Sequence, residues 1–274
     1  MEIGSYLRRI GMKSAPPATL AGLRAVHRAH LFAIPYENFD VQFGRPLTTD
    51  VAAAYEKIVT RGRGGWCYEM NGLLGWALGA LGFRVTRATG AVKRDVRGDA
   101  IIGNHLVLRV DLPEGVWLAD AGFGDGPVEP LRVAEGTATV EGFTHRIERL
   151  DKTWWRMNNH PVGSGNTFDF NTAPADEAVL ARMCEFLQTA PGSPFVLNAV
   201  AQRCDPGVVT ILRGRSLRHV RPDSYDERLI ENADDLLETL RREFALDLPE
   251  AAGLWPKIMK RHDEVMAELA ATAG

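Results

Sequence analysis

The sequence predicts an α+β protein, because the spacing of its apolar residues changes character twice along the chain. Up to about Leu81 the period is helical. From Phe83 to about residue 175, short alternating runs are separated by Gly, Pro, Asn and Asp, the pattern of a β-barrel or an open sheet. Beyond residue 176, helical and strand-like segments mix. The 274 residues exceed one typical domain and provide for two or three packed units. The expected boundaries are 1–82, 83–175, a connecting helix over 176–190, and 191–274.

Tyr6, Leu7 and Ile10 mark a first helix, and Leu20, Leu23, Val26 and His30 a second. Met70, Leu74, Ala77, Leu78 and Leu81 place a third from Cys67 to near Gly82, a candidate C-cap. Residues 84–92 and 154–157 are strand candidates. Between them, residues 104–111 alternate, with His105, Val107 and Arg109 on one face and Leu106, Leu108 and Val110 on the other. Leu112-Pro113-Glu114-Gly115 reads as a turn and residues 116–120 as the returning strand. A hairpin centred on Pro113 and Glu114 sets residue 120 opposite residue 107, one diagonal step from residue 105. Asp176 opens a helix reaching Thr189, residues 207–217 read as strands, and 234–244 and 254–270 as helices.

The chemistry concentrates in Arg63-Gly64-Gly65-Trp66-Cys67-Tyr68-Glu69, where a glycine-rich loop turns into a helix at a thiol. A sulfur there sits among unpaired N–H groups at the positive end of the helix dipole, and both favour the thiolate that attacks carbonyl carbon. Gly64 and Gly65 are expected to let the backbone turn sharply and leave room for a substrate beside the sulfur. A lone cysteine is most often a small buried apolar residue, and a lone strand histidine a hydrogen-bonded core residue. The combination argues otherwise. His105 and Asp120 face one another across adjacent strands, as the base and orienting carboxylate that a nucleophilic thiol requires. An ionised Cys67–His105 pair predicts alkylation below about pH 8.5, the range of a free thiol, and a return toward that range in His105→Ala.

Composition narrows the rest. A hydrophobic content of 45% supports a real core, and a net charge of −3 gives no reason to expect nucleic acid or an anionic membrane as partner. No apolar run approaches bilayer length, and residues 1–13 lack the apolar stretch of a signal peptide. Three cysteines without CxxC or Cys/His spacing fit a reducing cytoplasm and no metal site; Cys184 and Cys204 read as structural.

These motifs resemble the arylamine N-acetyltransferases. The hallmarks of that family are an Arg-Gly-Gly-aromatic-Cys segment opening a helix, a histidine in a strand, and an aspartate in Asp-x-Gly-Phe-Gly. Here they stand as Arg63-Gly64-Gly65-Trp66-Cys67, His105 and Asp120-Ala121-Gly122-Phe123-Gly124. Ile34-Pro35-Tyr36-Glu37-Asn38 matches a further family segment, with Tyr36 in place of the usual phenylalanine. The likeness runs from near residue 30 to about 220. It implies an N-terminal helical bundle carrying Cys67, a central β-barrel carrying His105 and Asp120, and a C-terminal α/β lid, around a cysteine-protease-like Cys-His-Asp core. It further implies acetyl-CoA as acyl donor, with no metal or bound prosthetic group. The acceptor it implies is an arylamine, arylhydrazine or N-hydroxyarylamine, reached by ping-pong exchange through acetyl-Cys67. By position, Tyr36, Val92, Phe123 and Gly124 are its substrate-wall residues. A cytoplasmic role in xenobiotic metabolism, as a monomer or homodimer, completes the expectation.

Two other readings use the same nucleophile. One is an amide synthase of the same fold that closes a macrocyclic polyketide amide; the other is a papain- or transglutaminase-like hydrolase with water or lysine as acceptor. Gly122-Phe123-Gly124-Asp125-Gly126 lacks dinucleotide spacing and is weak as a nucleotide fingerprint. The cluster Arg213, Arg215, Arg218, His219 and Arg221 reads as a solvated strand edge, with coenzyme A phosphates as its other possible partner.

Overall fold

The computed structural model describes residues 1–162 and 167–273. The first 82 residues form α1 (Ile3–Arg9), α2 (Leu20–Ala33), a two-residue strand β1 (Tyr36–Glu37), α3 (Phe39–Gln42), α4 (Val51–Tyr55) and α5 (Cys67–Ala80). Thr19 starts α2 by accepting the Gly22 N–H at 3.3 Å, and its buried face carries Leu23, Val26, His27, His30 and Leu31. A π-helical turn over Glu56–Thr60 continues α4 and buries Lys57 with Ile58. The predicted third helix is α5; Gly82 follows its C-cap at φ +89°, a conformation that favours glycine. Its first eight residues are all buried, so this helix is central rather than amphipathic.

The middle of the chain is an antiparallel sheet. It comprises β2 (Arg84–Val92), the short α6 (Arg94–Arg97), β3 (His105–Leu112), β4 (Gly115–Ala119), β5 (Leu131–Arg132), β6 (Gly136–Val140), β7 (Phe143–Arg149), β8 (Trp154–Asn158) and β9 (Thr167–Pro174). The eight strands run in the order β5-β4-β3-β2-β9-β8-β7-β6 and form a nearly closed barrel. Ala88, Val107, Leu118, Ile147, Met157, Phe168 and Phe170 fill it. The β3–β4 hairpin has Leu108 opposite Ala119 and Leu112 opposite Gly115, the register that the turn chemistry predicts. Asp120 therefore leaves β4 one residue beyond Ala119, on the side of His105.

The remainder comprises α7 (Glu177–Thr189), α8 (Pro194–Leu197), β10 (Val200–Asp205), β11 (Val208–Arg213), β12 (Ser216–Val220), β13 (Tyr225–Leu229), α9 (Ala233–Phe244) and α10 (Trp255–Ala273). Asp176 caps α7 as expected, accepting the N–H of Ala178 at 2.9 Å. The strands order as β1-β10-β11-β12-β13, so β1 ties the N-terminal region into the C-terminal sheet, with Tyr36 opposite Gln202. One expectation is corrected here. The basic cluster is not a sheet edge, because β12 lies between β11 and β13. Across β13, Glu227 pairs with Arg218 at 3.2 Å, and Asp226 pairs with His219 and Arg221 at 2.8 Å each. Among the described residues, no helix is long and apolar enough to cross a membrane.

Candidate active site

Cys67 is the first residue of α5 and is buried. Trp66 cannot cap the helix through its own side chain; Glu69 Oε2 instead accepts the Trp66 N–H at 3.2 Å. The Trp66 ring stands edge-on to Tyr68 and Phe195, at centroid distances of 5.3 and 5.4 Å. The loop glycines serve a different purpose from the one predicted. A Cβ on Gly64 would lie 2.1 Å from the Pro35 carbonyl oxygen, and one on Gly65 would lie 2.9 Å from Glu69 Cβ. They permit close approach to β1, where Glu37 N–H donates to Gly65 O at 2.9 Å. Gly122 permits a second close approach, against the start of α5: a Cβ there would sit 2.7 Å from Cys67 Cα.

Beneath this loop lies a buried charge network that the sequence did not reveal. Lys57 Nζ is 2.8 Å from Glu69 Oε2, 2.9 Å from Asp40 Oδ2 and 3.7 Å from Glu37 Oε1. Arg63 donates to Glu37 Oε1 at 2.7 Å and to Asp40 Oδ1 at 3.3 Å. The other Glu37 oxygen accepts the Phe39 N–H at 2.8 Å. Desolvation opposes the Lys57 charge, yet the three carboxylates outweigh it and hold the ammonium above its ordinary range. Glu69 joins this network to the backbone just before the thiol.

The histidine and aspartate meet as expected. His105 Nε2 is 2.8 Å from Asp120 Oδ2, with both side chains buried. Asp120 Oδ1 accepts from Asn71 Nδ2 at 2.7 Å and from Gly122 N–H at 2.8 Å. Burial pushes the Asp120 carboxyl up, but His105, Asn71 and the Gly122 amide outweigh burial and leave it below the ordinary carboxylate range. Two positioning residues were missed. Asn71 follows Cys67 by one helical turn, and its Oδ1 also accepts the Ala121 N–H at 2.8 Å. His27 Nε2 accepts the Asp120 N–H at 3.1 Å, so Nδ1 carries the proton donated to Val128 O at 3.1 Å. The i, i+4 spacing of Asn71 from Cys67 was a usable signal; nothing local pointed to His27.

The ionisation of the thiol differs from the simple expectation. Burial pushes Cys67 well above the ordinary thiol range, with Cys184 and Asp120 adding to the rise, while the amides of Leu106 and Tyr68 oppose it. A helix start alone therefore leaves the buried sulfur protonated at neutral pH. With Nε2 held by Asp120, Nδ1 is the ring nitrogen left to take that proton. Alkylation by iodoacetamide is expected to persist below about pH 8.5 in the wild type. In His105→Ala, its onset should move above pH 8.5 rather than merely return to it, because burial then acts unopposed. An unchanged profile in the variant would assign activation to the backbone amides instead.

Cys67 and His105 open onto a cavity of about 700 Å³ whose wall includes Tyr36, Val92 and Phe123. The Phe123 and Phe168 rings stand edge-on to His105, at 5.9 and 5.1 Å between centroids. Gly124, the fourth expected wall residue, does not line this cavity. It has φ +89°, a Cβ there would collide with the Gln202 amide, and its carbonyl accepts the Cys204 thiol at 3.4 Å. Gly122 takes its place in the wall. Cys184 and Cys204 are free and buried, with burial pushing each thiol up to about 12.

A buried thiol at a helix start and a carboxylate-held imidazole, both opening onto one aromatic-walled cavity, fit the class of enzymes with a cysteine nucleophile. The family model for N-acetyltransferases matches residues 19–252. The arylamine N-acetyltransferase of Mycolicibacterium smegmatis is 33% identical, with 92% of this chain and 94% of that protein covered. The arylamine N-acetyltransferase / N-hydroxyarylamine O-acetyltransferase of Salmonella typhimurium is 28% identical, covering 97% and 93%. The solved Mycobacterium marinum arylamine N-acetyltransferase in complex with CoA superposes with a TM-score of 0.84 at 31% identity, covering 96% of this chain and 99% of that one. The chain belongs to the arylamine N-acetyltransferase family.

Proposed function

We propose that the protein moves an acetyl group from acetyl-CoA to an arylamine through acetyl-Cys67. The observation that carries this reading is that His105, held by Asp120 at 2.8 Å, lines the same cavity as the Cys67 thiol. His105 takes the Cys67 proton at Nδ1, and Asp120 holds the tautomer and stabilises the imidazolium. Sγ attacks the thioester carbonyl, the C–S bond to coenzyme A breaks, and the departing sulfur receives the proton from His105. Amides at the start of α5 are the candidate donors to the developing oxyanion. In the second half, the amine nitrogen attacks acetyl-Cys67 and gives its proton to His105 as the carbon–sulfur bond breaks; the proton then returns to Cys67. The rings of Tyr36 and Phe123, which line the cavity, favour a flat acceptor over water.

The half-reaction needs no amine. Acetyl-CoA alone is expected to leave one acetyl group on the Cys67 peptide, visible by mass spectrometry, and kinetics with both substrates should be ping-pong. Label on Cys184 or Cys204, or none, overturns the reading. A panel of aryl and alkyl amines and hydrazines separates it from the alternatives: an amide synthase is inactive on small arylamines, and a hydrolase releases acetate at the same rate with or without amine.

A further inference from the structure

His105 is held by Asp120, and Asn104 bonds the Val92 backbone at 2.8 and 3.2 Å, so these polar side chains of the Cys67 cavity are engaged. Tyr36 and Gln202 line the same cavity and are each only 7% exposed. Among the described residues, neither the Tyr36 hydroxyl nor the Gln202 amide makes a hydrogen bond. Their placement follows from the sheet. Tyr36 on β1 and Gln202 on β10 are direct antiparallel partners, so their side chains leave the same face. On its other flank Gln202 opposes Ile211, which also lines the cavity and offers only carbon. β1 is fixed beside the nucleophile, because Glu37 N–H donates to Gly65 O at 2.9 Å, two residues before Cys67. Gly124 lets the Gln202 amide pack against its turn, since a Cβ there would collide with Oε1. Burial pushes the Tyr36 phenol well above its ordinary range, with Cys67 and Asp120 adding to the rise, so it stays a neutral donor.

We propose that Tyr36 and Gln202 form a subsite for a neutral substituent on the acceptor ring that both donates and accepts hydrogen bonds, with a carboxamide as the best match. The assignment rests on the reading that an aromatic amine is the acceptor. Gln202 offers the Nε2 hydrogens and the Oε1 lone pairs, and Tyr36 offers a hydroxyl; a carboxamide presents the complementary carbonyl and N–H groups. Water satisfies such groups in an open cavity, and a ring that displaces it with bare carbon leaves them unpaired. A substituent that only accepts, a carboxylate included, strands Oε1. The pair therefore selects among acceptors without touching the reacting nitrogen.

The test compares 3- and 4-aminobenzamide with 3- and 4-isopropylaniline, in which a branched alkyl group of similar shape replaces the carboxamide. With ping-pong kinetics, kcat/KM for the amine reports only the steps after acetyl-Cys67 has formed. The benzamide-to-alkyl ratio of the wild type, divided by that of a variant, cancels the intrinsic difference in reactivity between the two amines. Tyr36→Phe and Gln202→Met keep most of the volume and remove the polar atoms. Each should lower the ratio by roughly 5-fold or more for one isomer pair, as expected for one lost hydrogen bond. Equal losses for both amines assign the residues to ring packing or to the reacting centre and overturn the proposal, as do ratios unchanged in both variants. Binding of benzamide itself, titrated by ligand-detected NMR, forms a second arm that needs no turnover. It should weaken by the same factor in each variant. If the wild type acetylates none of the amines while that weakening is seen, the acceptor reading fails and the subsite stands. If no amine is acetylated and benzamide binds all three proteins equally, the subsite is overturned as well.

Discussion

Asp120→Asn should lower kcat/KM by roughly 10²–10⁴, a loss of about 3–5 kcal/mol of transition-state stabilisation. The carboxylate oxygen 2.8 Å from His105 Nε2 is an acceptor, and an amide can present a donor there instead. The imidazole would then favour the wrong tautomer, and its charged form would lose a buried counter-charge. Asp111 at the far end of β3 is the control. It pairs with Arg109 at 2.7 Å, away from the cavity, so Asp111→Asn should change kcat/KM little. Asp125 is buried too, but its carbonyl and its Oδ1 accept from Asn159 at 3.1 and 3.3 Å, whereas His105 Nε2 is held by Asp120. A crippled Asp125→Asn beside an active Asp120→Asn would reassign the orienting role.

Lys57→Met should destabilise the fold by about 3–5 kcal/mol, the usual cost of removing one partner from a buried charge network. Methionine keeps much of the volume but removes the ammonium 2.8 Å from Glu69, and it leaves Glu37 and Asp40 to Arg63, with Arg45 also 3.4 Å from Asp40. Denaturant unfolding measures the loss directly. Adding Glu69→Gln to the variant removes one of the stranded carboxylates and should recover part of it, so the pair should be non-additive. A loss under about 1 kcal/mol would mean that water or protonation compensates, and the network would not be what holds the Trp66-Cys67 turn.

The two residues that meet most closely in the site were legible because each lies on a regular element with short-range rules. Period two placed His105 on a face, and a two-residue turn at Pro113 and Glu114 set the register that delivers Asp120 to it. The start of α5 was legible from its apolar spacing, and Asp176 from cap chemistry. β10 and β13 were not read. β10, Val-Ala-Gln-Arg-Cys-Asp, sets Gln202 and Arg203 side by side and so lacks a clean apolar alternation, and β13, Tyr-Asp-Glu-Arg-Leu, is mostly charged because it is the edge of its sheet and exposed along nearly its whole length. Missing β13 turned an interior strand, β12, into an apparent edge. Gly124 was taken for a wall residue because sequence position cannot say which side of a turn faces the cavity.

The chain by itself determined the fold class, the order of its regions, and the three residues proposed to carry the chemistry. Those follow from periodicity, caps and turns, which act over a few residues. Only the tertiary structure decided what surrounds them. His27 reaches Asp120 across 93 positions and Arg63 reaches Glu37 across 26, and no local pattern encodes a partner so far away. It also reversed the expected balance at the thiol. The helix start and its amides favour the thiolate, but desolvation depends on everything packed around Cys67, and burial is the larger effect.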